Sequence, residues 1–89
     1  MEEKMRSIRI EKYLKELKKY TPEDIKIKLN DTDYQASIRG FRAGPRKVIV
    51  KKGSRMAFVN YTGEEWQAPY GDMELIAEII GKLKGDVNG

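Results

Sequence analysis

The chain has 89 residues, with 18 Lys+Arg against 14 Asp+Glu and neither cysteine nor histidine. This length predicts one domain with a small core, for which self-association as a homodimer is an expectation. Without Cys or His there are no disulfides, no thiolate metal sites, and neither the commonest general base nor the commonest metal ligand. We therefore expect a non-catalytic protein with no catalytic residues, no cofactor and no metal site.

The charge is segregated along the chain. Residues 34–63 contain seven cations and no acid, whereas the remainder contains 11 cations and 14 acids. A local excess of one sign attracts polyanions and speeds their association. The segment therefore indicates a polyanionic partner, and its cations are Arg39, Arg42, Arg46, Lys47, Lys51, Lys52 and Arg55.

The first predicted element is an amphipathic helix over residues 7–20. Its apolar residues recur at the helical spacing i, i+3, i+4, i+7 and i+10, and lysines lie between them. Thr21 and Pro22 end this helix, because the residue before a proline is pushed out of the helical region. The apolar positions are Ile10, Tyr13, Leu14, Leu17 and Tyr20.

Four predicted strands follow. Residues 25–29 alternate between apolar residues and lysines, which is the period of a strand. Residues 34–42, 47–52 and 56–61 alternate in the same way and are separated by turns that contain Gly44-Pro45 and Gly53-Ser54. Short connections between successive strands predict an antiparallel meander.

The last predicted element is a second helix. Asp72 is placed to cap it, and Leu75, Ile76, Ile79, Ile80 and Leu83 form an apolar stripe. The sequence thus predicts a two-layer α+β domain over residues 1–84, in the order α-β-β-β-β-α, with both helices on one face of the sheet. Residues 85–89 are predicted to be a flexible tail. No apolar run is long enough to span a membrane, which predicts a cytoplasmic protein without membrane contact.

The predicted sheet exposes a basic face. Cations on such a face can neutralise phosphates, and an aromatic side chain can stack on a base. The alternative is that the lysines only solvate a one-sided sheet and protect its edges. The sequence-based hypothesis is a nucleic-acid-binding module whose contacts come from Lys26, Lys28, Arg39, Phe41, Arg42, Arg46, Lys47, Lys51, Lys52 and Arg55.

Known motifs do not sharpen this hypothesis. Arg39-Gly40-Phe41 shares only its first three positions with the ribonucleoprotein sheet pattern, so no family is assigned. Gly40 and Gly44 do not form a phosphate loop, because the chain runs on into a strand and not into a helix.

The alternative function is a protein-binding adaptor or inhibitor, of the accessory type that phages and other mobile elements carry. It would act through the loop from Trp66 to Tyr70 or through a strand edge, since tryptophan and tyrosine are enriched at interface hot spots. The competing interpretation of Trp66 is a ring folded over the edge of the core. The partner is therefore a nucleic acid or, alternatively, a protein.

Overall fold

A computed structural model describes residues 2–40 and 44–88, with side chains described over 9–40 and 44–85. It confirms an α+β fold with one four-stranded antiparallel sheet and a helix near each end of the chain. The elements are α1 (Glu2–Leu17), α2 (Pro22–Lys28), β1 (Gln35–Gly40), β2 (Arg46–Lys52), β3 (Arg55–Tyr61), β4 (Tyr70–Gly71) and α3 (Met73–Asn88).

The prediction that residues 25–29 form the first strand is wrong, because residues 25–28 belong to the short helix α2 and Leu29 is its C-cap. The Thr21 hydroxyl accepts a hydrogen bond from the Asp24 backbone N–H at 3.1 Å, and the Asp24 carboxylate accepts one from the Thr21 N–H at 3.0 Å. This capping box starts the helix, and a proline occupies its first turn. Ile25 and Leu29 are buried one turn apart, whereas Ile27 is 75% exposed. Ile25 and Leu29 are therefore apolar because they lie on the buried side of the helical turn, whereas Ile27 lies on its exposed side.

The sheet is a meander with strand order β1-β2-β3-β4. The predicted strands at 34–42, 47–52 and 56–61 correspond to β1, β2 and β3. The fourth strand, β4, lies in a segment predicted to be a loop. Gly71 has φ of 101°, and a Cβ there would lie 2.9 Å from the Met56 carbonyl oxygen. A glycine is therefore needed for β4 to approach β3 this closely.

One face of the sheet carries the core. The buried strand residues Ala36, Val48, Val50, Ala57 and Val59 all point to this face. Both α2 and α3 contact the sheet, and α1 packs against α3. Tyr34, Trp66 and the α2 C-cap Leu29 belong to the same apolar cluster. The three helices supply its other members, which are Leu17, Ile25, Leu75, Ile76, Ile79, Ile80 and Leu83.

Asp72 caps α3 as predicted, because its carboxylate accepts a hydrogen bond from the Leu75 backbone N–H at 3.0 Å. The helix continues past Gly85 to Asn88, so the backbone stays helical over most of the segment predicted to be a tail. Among the described residues, no helix has both the length and the apolar composition needed to cross a membrane.

Candidate nucleic-acid interface

The sheet face opposite the helices, which we call the open face, is formed by strand positions 35, 37, 39, 47, 49, 51, 56, 58, 60 and 70. The strand register places Ser37, Ile49, Phe58 and Tyr70 side by side across all four strands. We call these four residues the aromatic row. Phe58 is half-buried and Tyr70 is 41% exposed. The open face therefore presents apolar and aromatic surface at its centre.

The two rings of the aromatic row are stacked. The Phe58 and Tyr70 centroids are 5.1 Å apart, and the ring planes differ by 18°. The Lys47 ammonium lies 5.8 Å from the Phe58 centroid and 5.6 Å from the Tyr70 centroid. A cation over two rings is held by their quadrupoles, and its flexible stem lets it move towards an arriving anion.

Polar and basic rows flank the aromatic row. Arg39, Lys47 and Asn60 are aligned on one side, and Gln35, Lys51 and Met56 on the other. None of these described strand positions of the open face is an acid. Nor do Arg39, Lys47 and Lys51 form an ion pair with any carboxylate in the described part of the chain.

Arg46, Lys52 and Arg55, three of the predicted nucleic-acid contacts, are not on the open face, because strand alternation turns them towards the helices. Arg46 pairs with Glu23 of α2. The Lys52 ammonium lies 2.6 Å from the Glu78 carboxylate of α3. Their charge is therefore offset by the helical layer.

Arg55 forms ion pairs with three carboxylates, more than any other cation of the described residues. Its guanidinium donates two hydrogen bonds to Asp72, at 2.7 and 2.8 Å, and one to Glu78 at 3.1 Å. The hydrogen bond from Arg55 lowers the pKa of the Asp72 carboxyl to about 2. The hydrogen bond from Lys52 likewise lowers the pKa of Glu78, and the one from Glu78 raises the pKa of Lys52. The charges of Arg55 and Lys52 are therefore offset by the carboxylates of Asp72 and Glu78.

Lys26 and Lys28 were predicted to lie on the basic sheet face, and this placement is wrong because both lie on α2. The Lys28 ammonium lies 5.6 Å from the centroid of the Tyr20 ring. Phe41 and Arg42 lie outside the described residues. Of the ten predicted contacts, the structure thus brings together Arg39, Lys47 and Lys51 on the open face.

The two residues of the predicted protein-binding loop have separate positions. Trp66 is 6% exposed, its indole N–H donates to the Tyr20 carbonyl at 3.0 Å, and its ring packs on Tyr61. Of the two interpretations of Trp66, burial over the core edge is therefore the one the structure favours. Tyr70 instead belongs to the aromatic row of the open face.

Sequence reasoning gave no binding role to Phe58 or Asn60, although strand alternation could have shown both. Ala57 and Val59 are small apolar residues of the core face, so Phe58 and Asn60 must point the other way. Tyr70 could not be placed in this way, since β4 has only two residues and shows no alternation.

No group of three His, Cys, Asp or Glu side chains within the described residues could hold a metal ion. Comparison with known proteins found no match to a family model, to a curated protein or to a solved structure.

Proposed function

We propose that the protein is a non-catalytic, cytoplasmic module that binds single-stranded nucleic acid on its open face with little sequence preference. One observation carries this proposal. The aromatic row crosses the sheet between cations that have no carboxylate partner among the described residues. Exposed rings stack on bases of any sequence, and lysine and arginine hold the phosphates that link them.

A single strand fits this surface better than a duplex. Stacking on Phe58 or Tyr70 requires the flat face of a base, which a duplex hides between neighbouring base pairs. A duplex groove is instead read by a protruding helix or a two-stranded ribbon. The centre of the open face is a row of strand side chains, so unpaired bases are the ligand that it suits.

The number of free cations sets the expected salt dependence. If Arg39, Lys47 and Lys51 each contact one phosphate, the log–log slope of affinity against salt should be about −2, at roughly −0.7 per contact on a single strand. All seven cations of residues 34–63 together would give a slope of about −5 by the same rule. A measured slope of about −2 rather than about −5 would therefore indicate that the cations paired with acids on the helical side do not contact phosphates.

The decisive experiment uses two neighbouring lysines of β2. Lys51 points to the open face without an ion-pair partner in the described part of the chain, whereas Lys52 points to the helical side and pairs with Glu78. Anisotropy of a labelled ten-nucleotide strand should show that Lys51→Ala weakens binding and reduces the slope by about 0.7. Lys52→Ala should change neither quantity beyond error.

The aromatic row supplies a second arm of this experiment. Phe58→Ala and Tyr70→Ala should each weaken binding by about 1–3 kcal/mol, the usual contribution of one stacked base. Failure of the wild-type protein to bind any single strand at low salt would overturn the proposal. Equal losses of affinity in Lys51→Ala and Lys52→Ala would also contradict the proposal, because cations on both faces of the sheet would then contribute equally to binding.

A second candidate function is peptide binding at the edge of β1, the remaining form of the adaptor hypothesis. Ile27 is 75% exposed beside a groove of about 560 Å³ that Ile38 also lines. The edge is blocked at one end, because the Asn30 amide bonds the backbone N–H and carbonyl of Ala36. Ile27→Asp should abolish the binding of a peptide at this edge and leave the affinity for single-stranded nucleic acid unchanged. An unaltered affinity for the peptide would reject this candidate function.

A further inference from the structure

A cavity of about 700 Å³ opens beside the aromatic row, at the end of the sheet where β2 begins and β3 ends. Its apolar wall includes Phe58, and its polar wall includes Arg39, Lys47 and Asn60, which are neighbours across the sheet. None of the described residues that line it is an acid. A planar ligand that carries a negative charge is therefore compatible with both walls.

One polar side chain that lines the cavity is available to a ligand. The half-buried Asn60 side-chain amide makes no hydrogen bond to any described residue, although its backbone carbonyl accepts one from Gln67. An amide group without a protein partner is free to bond a ligand or water. The cavity thus offers an amide donor and an amide acceptor to whatever enters it.

We propose that this cavity holds one base of the bound strand and that the Asn60 amide reads the edge of that base. An asparagine amide matches adenine best in bidentate form, because it accepts from N6 and donates to N7. Lys47 is next to Asn60 in the same row and Arg39 lies beyond Lys47, so both cations contact the phosphates on one side of that base. The inference rests on the proposed function, and it adds a preference for adenine at one position of an otherwise unselective strand.

The test uses ten-nucleotide thymine strands in which a single adenine is moved through each position. Wild-type protein should bind the best-placed adenine strand about tenfold more tightly than the all-thymine strand, the usual discrimination by one bidentate pair. Asn60→Ala should abolish this ratio while the affinity for the all-thymine strand falls less than threefold.

Gln35→Ala is the matched control, since Gln35 is an exposed amide at the opposite end of the open face. It should leave the ratio unchanged. Equal affinities of wild-type protein for all the strands, or a ratio that survives in Asn60→Ala, would overturn the base-reading role and leave the proposed function standing. Absence of binding to every strand would instead overturn the proposed function, and the inference with it.

Discussion

Ile25 and Ile27 provide the sharpest test of the fold, because they are identical side chains two residues apart. In the helix α2, Ile25 is 1% exposed and Ile27 is 75% exposed. In a strand over residues 25–29, both would point to the same face and be equally buried. Replacing each isoleucine with alanine should therefore lower the free energy of unfolding by different amounts if the segment is helical, and by similar amounts if it is extended.

The expected magnitudes follow from burial. Ile25→Ala removes roughly 2.4 kcal/mol of transfer free energy, at about 0.8 kcal/mol per carbon, and the cavity left behind brings the total cost to about 2–5 kcal/mol. Ile27→Ala loses only a quarter of that transfer term, about 0.6 kcal/mol. Alanine recovers about 0.4 kcal/mol through its higher helix propensity. The free energy of unfolding of Ile27→Ala should thus be within about 0.5 kcal/mol of the wild-type value.

Urea denaturation followed by tryptophan fluorescence would measure both variants, since Trp66 is the sole tryptophan and is buried. With a slope of about 1–2 kcal/mol per molar urea, Ile25→Ala should lower the midpoint by at least about 1 M. A chain of this length has a total stability of only about 4–13 kcal/mol, so Ile25→Val, at about 0.5–1.5 kcal/mol, is a milder variant. Equal losses for the two positions would refute the helical assignment of residues 22–28.

Three further predictions concern stability. Trp66→Ala removes the fluorescent probe, so its urea denaturation is followed by circular dichroism; it should lower the free energy of unfolding by about 3–5 kcal/mol, and an unchanged midpoint would favour a role of Trp66 in recognition. The pKa of Asp72 is lowered from 3.8 to about 2 by Arg55, so its stabilising effect is complete above about pH 4 and lost as the pH falls through about 2. Arg55→Ala should therefore flatten the fall in thermal midpoint over that pH range, and an unaltered fall would show that the pairing does not stabilise the fold. Gly71→Ala should lower the thermal midpoint by several degrees, because its Cβ would contact the Met56 carbonyl; an unchanged midpoint would mean that β4 does not need this close approach.

The class of fold was predictable because its long elements have clear periods. The helix stripe from Leu75 to Leu83 and the alternation around Val48 and Val50 each have one interpretation, and both are confirmed. Residues 25–29 were ambiguous, since positions four apart share a face in both a helix and a strand. Only Ile27 distinguishes the two, and the signal that could have decided the matter was the capping box of Thr21 and Asp24.

The candidate site was less predictable, because the sequence shows which residues are charged but not what lies opposite them. Alternation correctly places Lys47 and Lys51 on the face away from Val48 and Val50. The same alternation places Arg46 and Lys52 on the helical side, but their carboxylate partners come from α2 and α3. Those pairings depend on the tertiary fold and have no local sequence signal.

The sheet separates the described cations of residues 34–63 into two groups, one on each face. Of the six described cations in residues 34–63, Arg46, Lys52 and Arg55 form ion pairs with carboxylates of the helices. The helices supply most of the acids in the described chain. Arg39, Lys47 and Lys51 meet none of those acids, and they surround the aromatic row. Because opposite charges offset each other only at short range in salt, the open face keeps a positive potential that the modest net charge of +4 understates. The ligand we propose, a polyanion with exposed planar bases, would use both the potential and the rings.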